Sequence, residues 1–218
     1  MRRTPRIVRR CALAITLLLA AGSVAVACRD DGSGPDTRAG RRILFIGNSL
    51  TFVNAAPLIV EALADSAGSG RLAVSSVAFP DYGLEEHWLE GTAQDSIAKG
   101  GWSVVVLQQG PSALPESRVL LRDYANRFAA EIRRAGGRPA LYAPWPMESR
   151  QFDFAASAES YALAAADVGG MLFPVSQAWV AAWRRDAALQ LYEVDGLHAS
   201  ARGSYLAAGR RAVMRAMG

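Results

Sequence analysis

The sequence predicts a three-layer α/β/α sandwich on a mostly parallel, five-stranded sheet, and two observations lead to this fold class. Short apolar runs alternate with longer helical patterns throughout residues 41–218. The clearest run, WSVVVL at 102–107, is rich in β-branched residues and shows no polar alternation. Such runs are typical of strands buried on both faces, which occur in parallel sheets covered by helices.

The elements follow in order from these patterns. Strands are predicted at 43–46, 72–79, 102–107, 140–143 and 171–175. Helices are predicted at 51–67, 116–135, 154–168, 177–188 and 199–217, and residues 84–99 are helical or irregular. Ligands of such sheets bind at the carboxyl ends of the strands, so the polar residues just after each strand are the candidate site residues.

The N-terminus predicts an exported protein with a lipid anchor. Residues 1–10 are basic and residues 11–27 are almost wholly apolar, a run that suits a signal peptide and is short for a membrane span. Small residues precede Cys28, which resembles the lipobox of bacterial lipoproteins, although Ala25 stands where leucine is usual. Removal of residues 1–27 would leave Cys28 as the sole cysteine, available for lipidation. An ordinary secretory signal and an uncleaved anchor remain alternatives.

The remaining chain divides into a tether and one domain, and its charge excludes a polyanion partner. Residues 28–40 are rich in Gly, Asp and Pro, a composition typical of a flexible tether, and 41–218 form the folded domain. The chain has 24 basic and 20 acidic residues, but five arginines fall within residues 1–27. The rest is nearly neutral, so no nucleic acid is expected to bind. We expect an extracytoplasmic, membrane-anchored lipoprotein.

Two polar constellations are candidates for chemistry. Ser49 lies between the first strand and its helix, a position that by itself favours a helix N-cap. Asp195 and His198 lie three apart before the last helix and can provide the acid and base of a serine hydrolase, or simply a cap and a surface histidine. No phosphate-binding loop is present, and neither a metal site nor a cofactor is expected.

Taken together, these motifs resemble the SGNH or GDSL-like ester hydrolases over most of residues 41–218. ILFIGNSLT, with Asn54 and Pro57 downstream, resembles the first motif of a lipoprotein-associated branch. DGLHAS, followed by Gly203 and Tyr205, resembles the terminal motif. The resemblance implies a flavodoxin-like sandwich without metal or cofactor.

The resemblance also implies roles for individual residues. Ser49 would be the nucleophile, His198 the general base and Asp195 the acid that orients it. The oxyanion hole would comprise the N–H groups of Ser49 and Gly83 and one side-chain amide.

This sequence departs from the family's pattern at two of its motifs. Asn48 replaces the usual aspartate before the nucleophile. The asparagine of the third motif is absent, and Gln108-Gln109-Gly110 stands at the strand end. Gln109-Gly110 resembles the Gln-Gly of carbohydrate acetylesterases, which favours Gln109 over Gln108 as the amide donor.

Other residues after the strands give weaker expectations. Trp145 and Met147 follow the fourth strand and are candidates for the substrate pocket, as is Trp88, although loop packing is the slightly favoured alternative for each. His87 is expected at the surface.

The function predicted is removal of an acyl group, most simply acetyl, from a carbohydrate ester. A non-catalytic glycan-binding lipoprotein and an acyltransferase using the same triad are the alternatives.

Overall fold

The computed structural model describes residues 40–68 and 70–209, and its centre is a five-stranded sheet. The strands are β1 (Arg41–Gly47), β2 (Leu72–Ala78), β3 (Val104–Leu107), β4 (Arg138–Tyr142) and β5 (Met171–Phe173). Their order in the sheet is β2-β1-β3-β4-β5, and every neighbouring pair is parallel. The α/β/α class and the five strands predicted from the sequence are thereby confirmed.

Helices connect the strands. They are α1 (Ser49–Phe52), α2 (Ala56–Ser66), α3 (Leu84–Glu90), α4 (Thr92–Ala98), α5 (Pro115–Arg134), α6 (Phe154–Asp167), α7 (Val175–Trp183) and α8 (Ala201–Ala207). Short 3₁₀ turns occupy Val53–Ala55 and Glu148–Asp153. The pattern at 84–99 therefore encodes two short helices, separated at Gly91.

The single helix predicted at 51–67 is broken in the structure. Asn54 and Ala55 both adopt left-handed backbone angles, with φ of 55° and 52°, and a new helix begins just before Pro57. Asparagine tolerates this conformation better than most residues, and proline is favoured in a first helical turn. The helix predicted at 177–188 is also misplaced, since α7 begins directly after Pro174.

Alternate residues of the central strands enter two separate cores. On β1, Ile43 and Phe45 pack into one core with Trp179 of α7, whereas Leu44 and Ile46 pack into the other with Phe128 of α5. Both cores exclude water, so β1 and β3 are apolar on both faces. This explains why β3 reads as an unbroken apolar run.

The strand order determines where a ligand site can form. From β1 the chain passes to β2 on one side and then returns to β3 on the other side of β1. Connections that leave in opposite directions open a crevice at the carboxyl ends of the two strands, where doubly wound proteins bind ligands. The residues after β1, β2 and β3 are gathered there.

The predicted signal peptide, most of the tether and Cys28 lie outside the described residues, as do positions 210–217 of the last predicted helix. Within residues 40–68 and 70–209, no helix has both the length and the apolarity to cross a membrane.

Candidate active site

Ser49 begins α1, immediately after the carboxyl end of β1. The N-cap role belongs to its neighbour Asn48, whose Oδ1 accepts the Leu50 N–H at 3.1 Å. Among the described residues, neither the N–H nor the Oγ of the half-buried Ser49 makes a hydrogen bond. A hydroxyl and a backbone donor are thus left unengaged side by side, as a nucleophile and an oxyanion donor require.

Gln108, which directly follows β3, fixes this turn through hydrogen bonds from its side chain. Its Oε1 accepts the Asn48 N–H at 3.0 Å and the Thr51 hydroxyl at 2.6 Å. Its Nε2 donates to Asn48 Oδ1 at 2.9 Å and to the Gln109 carbonyl. The side chain is buried and its polar atoms are satisfied, so Gln108 holds the Ser49 turn in place.

Gly47 is required where β1 meets this turn. A Cβ at this position would lie 2.3 Å from Gln108 Oε1 and 2.5 Å from Thr51 Oγ1. Only glycine lets the glutamine amide reach the Asn48 backbone.

His87 contacts the same turn from the interior of the protein, so the prediction that it lies at the surface is wrong. Its side chain is fully buried, and Nε2 is 2.7 Å from the Gly47 carbonyl. A carbonyl can only accept, so Nε2 carries the proton. The Nδ1 atom has no partner among the described residues. Burial lowers the pKa of His87, so the neutral ring is favoured. His87 shares one face of α3 with Leu84, which is buried too.

Asp195 and His198 form a hydrogen-bonded pair. His198 Nδ1 is 2.6 Å from Asp195 Oδ2, and Asp195 Oδ1 accepts the backbone N–H groups of Leu197 and His198. The ring contact, followed by these two bonds, lowers the pKa of Asp195 to about 2. An ionised carboxylate only accepts, so Nδ1 carries a proton, and in the neutral form of the ring Nε2 is then the nitrogen with the lone pair.

Two side-chain donors, one exposed and one buried, hold the loop that carries this pair. Asn54 Nδ2 donates to the Ala199 carbonyl at 2.8 Å, so the break after α1 joins the Ser49 region to the residue following His198. Trp145 Nε1 donates to the Leu197 carbonyl at 2.9 Å. No hydrogen bond joins Ser49 Oγ to His198 in the described part of the chain.

Trp145 does not line a substrate pocket, which corrects one expectation. It is only 1% exposed and stacks on Trp179 with ring centroids 4.2 Å apart. Its large apolar area is buried in the core while its indole N–H reaches a carbonyl, a common arrangement for buried tryptophan. Trp88 likewise packs edge-on against Phe128 of the core.

The turn after β2 carries the second predicted oxyanion donor, Gly83. The Tyr82 carbonyl accepts Asn48 Nδ2 at 2.9 Å, which joins this turn to the Ser49 turn. The Gly83 N–H donates to Glu86 Oε2 at 2.8 Å. The predicted donor is therefore engaged by a carboxylate in this structure.

Gln109 is also engaged within the fold. Its Oε1 accepts the Leu84 N–H at 3.3 Å, and its Nε2 donates to Ser112 Oγ at 2.7 Å and to the Ser117 carbonyl at 3.1 Å. Both amide hydrogens are thus used. Neither Gln109 nor Gln108 offers the free amide donor that the sequence led us to expect, because each amide satisfies buried backbone or hydroxyl groups.

A cleft of about 510 Å³ lies between the Ser49 turn, the turn after β2 and the residues after β3. Ser49, Gly83 and Gln109 line it, together with Leu197, the residue before His198. Met147 lies on its wall and is 42% exposed, as expected of a pocket residue. Within the described residues, no three His, Cys, Asp or Glu side chains are grouped to hold a metal ion.

The cleft contains polar residues that the sequence did not single out for the site, and Glu86 is one of them. Its side chain is exposed, and it lines the cleft and accepts the Gly83 N–H. Its position three residues after an N-cap, as in a capping box, is the signal that could have identified it.

The sequence matches no protein-family model and no curated protein, but its structure resembles solved structures. A protein from Slackia heliotrinireducens, assigned to the SGNH hydrolases, is 28% identical, with a TM-score of 0.66. The match covers 82% of this chain and 100% of that one.

Two further structures share the fold at lower identity. A lipase/acylhydrolase from Enterococcus faecalis is 18% identical, with a TM-score of 0.63 over 77% of this chain and 91% of that one. A catalytic mutant of an acetylxylan esterase from Geobacillus stearothermophilus is 16% identical, with a TM-score of 0.61 over 82% and 94%.

Proposed function

Because the chain belongs to the SGNH hydrolase superfamily of ester-hydrolysing enzymes, we propose that Ser49, His198 and Asp195 form its catalytic triad. The observation that carries the proposal is the pairing of an unengaged Ser49 with a His198 ring whose Nδ1–H is held by Asp195. In a free enzyme the bond between nucleophile and base is often long and tightens when substrate binds.

The reaction follows from these positions. Ser49 Oγ attacks the ester carbonyl while His198 Nε2 takes its proton, and the carbonyl oxygen becomes an oxyanion. The carbon–oxygen bond to the alcohol then breaks, and His198 returns the proton to the departing alkoxide. Water activated by His198 hydrolyses the acyl-enzyme, releasing the acid and Ser49. The Ser49 N–H is the first oxyanion donor, and the Gly83 N–H is the second donor proposed.

The substrate proposed is an O-acetylated carbohydrate. Likeness in fold to an acetylxylan esterase supports this class, as does the Gln109-Gly110 pair at the end of β3. An open cleft also suits a sugar chain that enters from solvent. Acetylated xylo-oligosaccharide should lose acetate faster than a long-chain p-nitrophenyl ester is cleaved, and the opposite ranking would point to lipid esters.

The test of the triad is covalent labelling together with turnover. The protein should hydrolyse p-nitrophenyl acetate, and a fluorophosphonate should add to Ser49, as located by mass spectrometry of the peptide. Ser49→Ala should abolish both, while Ser66→Ala, which alters an exposed serine on α2, should abolish neither. Activity that survives Ser49→Ala would exclude this nucleophile.

A non-catalytic glycan-binding protein is the second candidate. The observation that favours it is that Gly83 and Gln109 have their donors engaged. Within residues 40–68 and 70–209, the Ser49 N–H is the one of the three predicted donors that makes no hydrogen bond. Binding of acetylated oligosaccharide without acetate release or fluorophosphonate labelling would favour this function over hydrolysis.

The location proposed is outside the cytoplasm, with a lipid on Cys28. The sole support is the sequence before and at Cys28. Cys28→Ser should release the protein from the membrane fraction, and mass spectrometry of the N-terminal peptide should detect diacylglycerol on Cys28. An unmodified Cys28 in the mature protein would contradict the proposal.

A further inference from the structure

The peptide between Tyr82 and Gly83 is held at both of its polar ends. Its carbonyl accepts Asn48 Nδ2 at 2.9 Å, and its N–H donates to Glu86 Oε2 at 2.8 Å. The two groups of a trans peptide point in opposite directions. The Gly83 N–H therefore points away from Asn48 and toward the Glu86 carboxylate.

Glu86 reaches this N–H from the first turn of α3. Its side chain is exposed, and both Glu86 and Gly83 line the cleft that contains Ser49. The carboxylate also lies close to the glycine, because a Cβ on Gly83 would be only 3.0 Å from Glu86 Oε2. No ion pair among the described residues neutralises Glu86.

We infer that Glu86 competes with the reaction's oxyanion for the Gly83 N–H, and that its carboxylate must leave this donor before the donor can act in catalysis. The inference rests on the proposed hydrolase function. A backbone N–H is shared poorly between two anionic oxygens, and a carboxylate beside a developing negative charge raises the energy of the transition state. Glu86 thus lowers the rate of the reaction by occupying the Gly83 N–H, without touching the substrate itself.

The exposure of Glu86 makes this exchange possible. Its side chain can rotate into water, where its charge is solvated, without disturbing the buried contacts of Gln108 or Gln109. The rate should then scale with the fraction of molecules in which the donor is free. A ligand that places an anionic oxygen at the site should shift the population toward that state.

The first test compares substitutions at two neighbouring glutamates. Glu86→Ala removes both charge and acceptor and should raise kcat on p-nitrophenyl acetate about fivefold to tenfold. Glu86→Gln keeps an acceptor that can still cap the helix, so its gain should be smaller. Glu85→Gln removes the same charge from the same cleft, but Glu85 binds the Tyr124 hydroxyl, so its gain should be below that of Glu86→Gln.

The second readout is affinity for an anionic tetrahedral adduct. Benzeneboronic acid added to Ser49 would carry its negative oxygen where the oxyanion forms, so Glu86→Ala should lower its inhibition constant by the same factor as kcat rises. The KM should change little. A purely structural helix cap predicts a lower melting temperature with no gain in either quantity.

Several results would overturn the inference. One is an active, folded Glu86→Ala protein whose kcat and boronate affinity do not rise. Another is a Glu85→Gln protein that gains as much as Glu86→Ala, which would indicate a general charge effect. If neither the native protein nor Glu86→Ala hydrolyses esters or reacts with fluorophosphonate, the proposed hydrolase function fails and the inference fails with it. Labelling of Ser49 without a gain in Glu86→Ala rejects Glu86 alone.

Discussion

The turn after β1 and the turn after β2 both line the cleft, but they differ in whether the polar groups of the predicted site residues are hydrogen-bonded. In the first, Gln108 fixes Asn48 and Thr51, while the N–H and hydroxyl of Ser49 make no hydrogen bond to the part of the chain that the structure describes. In the second, both polar ends of the Tyr82–Gly83 peptide are bound. In the proposed mechanism the groups of the first turn are therefore available for reaction, whereas the second turn must give up a contact to take part.

The largest expected effect concerns the partners of the first turn. His198→Ala should lower kcat by at least about 10³-fold, because Ser49 would have no base. Asp195→Asn should cost as much or less, since an asparagine can present N–H groups to the ring and favour the wrong tautomer. The measurement is steady-state turnover of p-nitrophenyl acetate.

A control substitution and the pH range in which Asp195 is ionised complete that prediction. Asp65→Asn makes the same change on the exposed side of α2 and should leave kcat unaltered. Because the pKa of Asp195 is lowered to about 2, its carboxylate is ionised above about pH 4 and protonates only as the pH falls through 2. Full activity in the His198→Ala protein would show that His198 is not the general base and would contradict the proposed triad.

The two adjacent glutamines offer the next comparison, because Gln108 serves the first turn and Gln109 the second. Gln108→Ala leaves several buried groups without partners and should lower the free energy of unfolding by about 3 kcal/mol and reduce kcat. Gln109→Ala should reduce kcat by less than the ~10²–10³-fold of a lost oxyanion donor, since its amide hydrogens are used elsewhere. Denaturant unfolding and turnover measure both. A 10²-fold loss in a stable Gln109→Ala protein would restore Gln109 as the donor.

Asn48 joins the two turns, so its substitution separates them. Asn48→Asp preserves the acceptor that caps α1 but removes the donor to Tyr82, and should lower the free energy of unfolding by about 1–2 kcal/mol. Asn126→Asp is the matched control, because exposed Asn126 also donates to a carbonyl, that of Arg122. Equal losses in both variants would show that the link between the turns contributes little.

His87 makes the second connection between these regions, from α3 to Gly47, and its effect should be the smallest. Its pKa is lowered in the folded protein, so the unfolded chain binds the proton more readily below about pH 6.5. The stability that neutral His87 provides is present above that pH and lost as the pH falls below it. Between pH 7 and 6, the free energy of unfolding of the native protein should therefore fall by less than about 1 kcal/mol. In the His87→Gln protein, the melting temperature should depend less steeply on pH over this range. Identical slopes would mean that His87 does not titrate in this range.

What the sequence determined by itself is what local pattern encodes. An unbroken apolar run such as β3 can be stable only when buried on both faces, so the parallel sheet and its helical layers follow directly. Asp195 and His198 lie three residues apart on one turn, and so short a loop lets the carboxylate reach the ring without help from distant parts of the chain. These features could be predicted because their causes lie within a few residues.

Tertiary structure alone decided how the remaining polar groups were shared. Gln108 and Gln109 are chemically identical, and only the alternation at the end of β3 sends one to Asn48 and the other to Leu84. His87 lies among three glutamates in sequence, yet packing against Gly47 buries it. A polar side chain near a sheet edge has several possible partners of similar energy, and which one it takes depends on neighbours 25 to 60 residues away, a distance over which local sequence carries no signal.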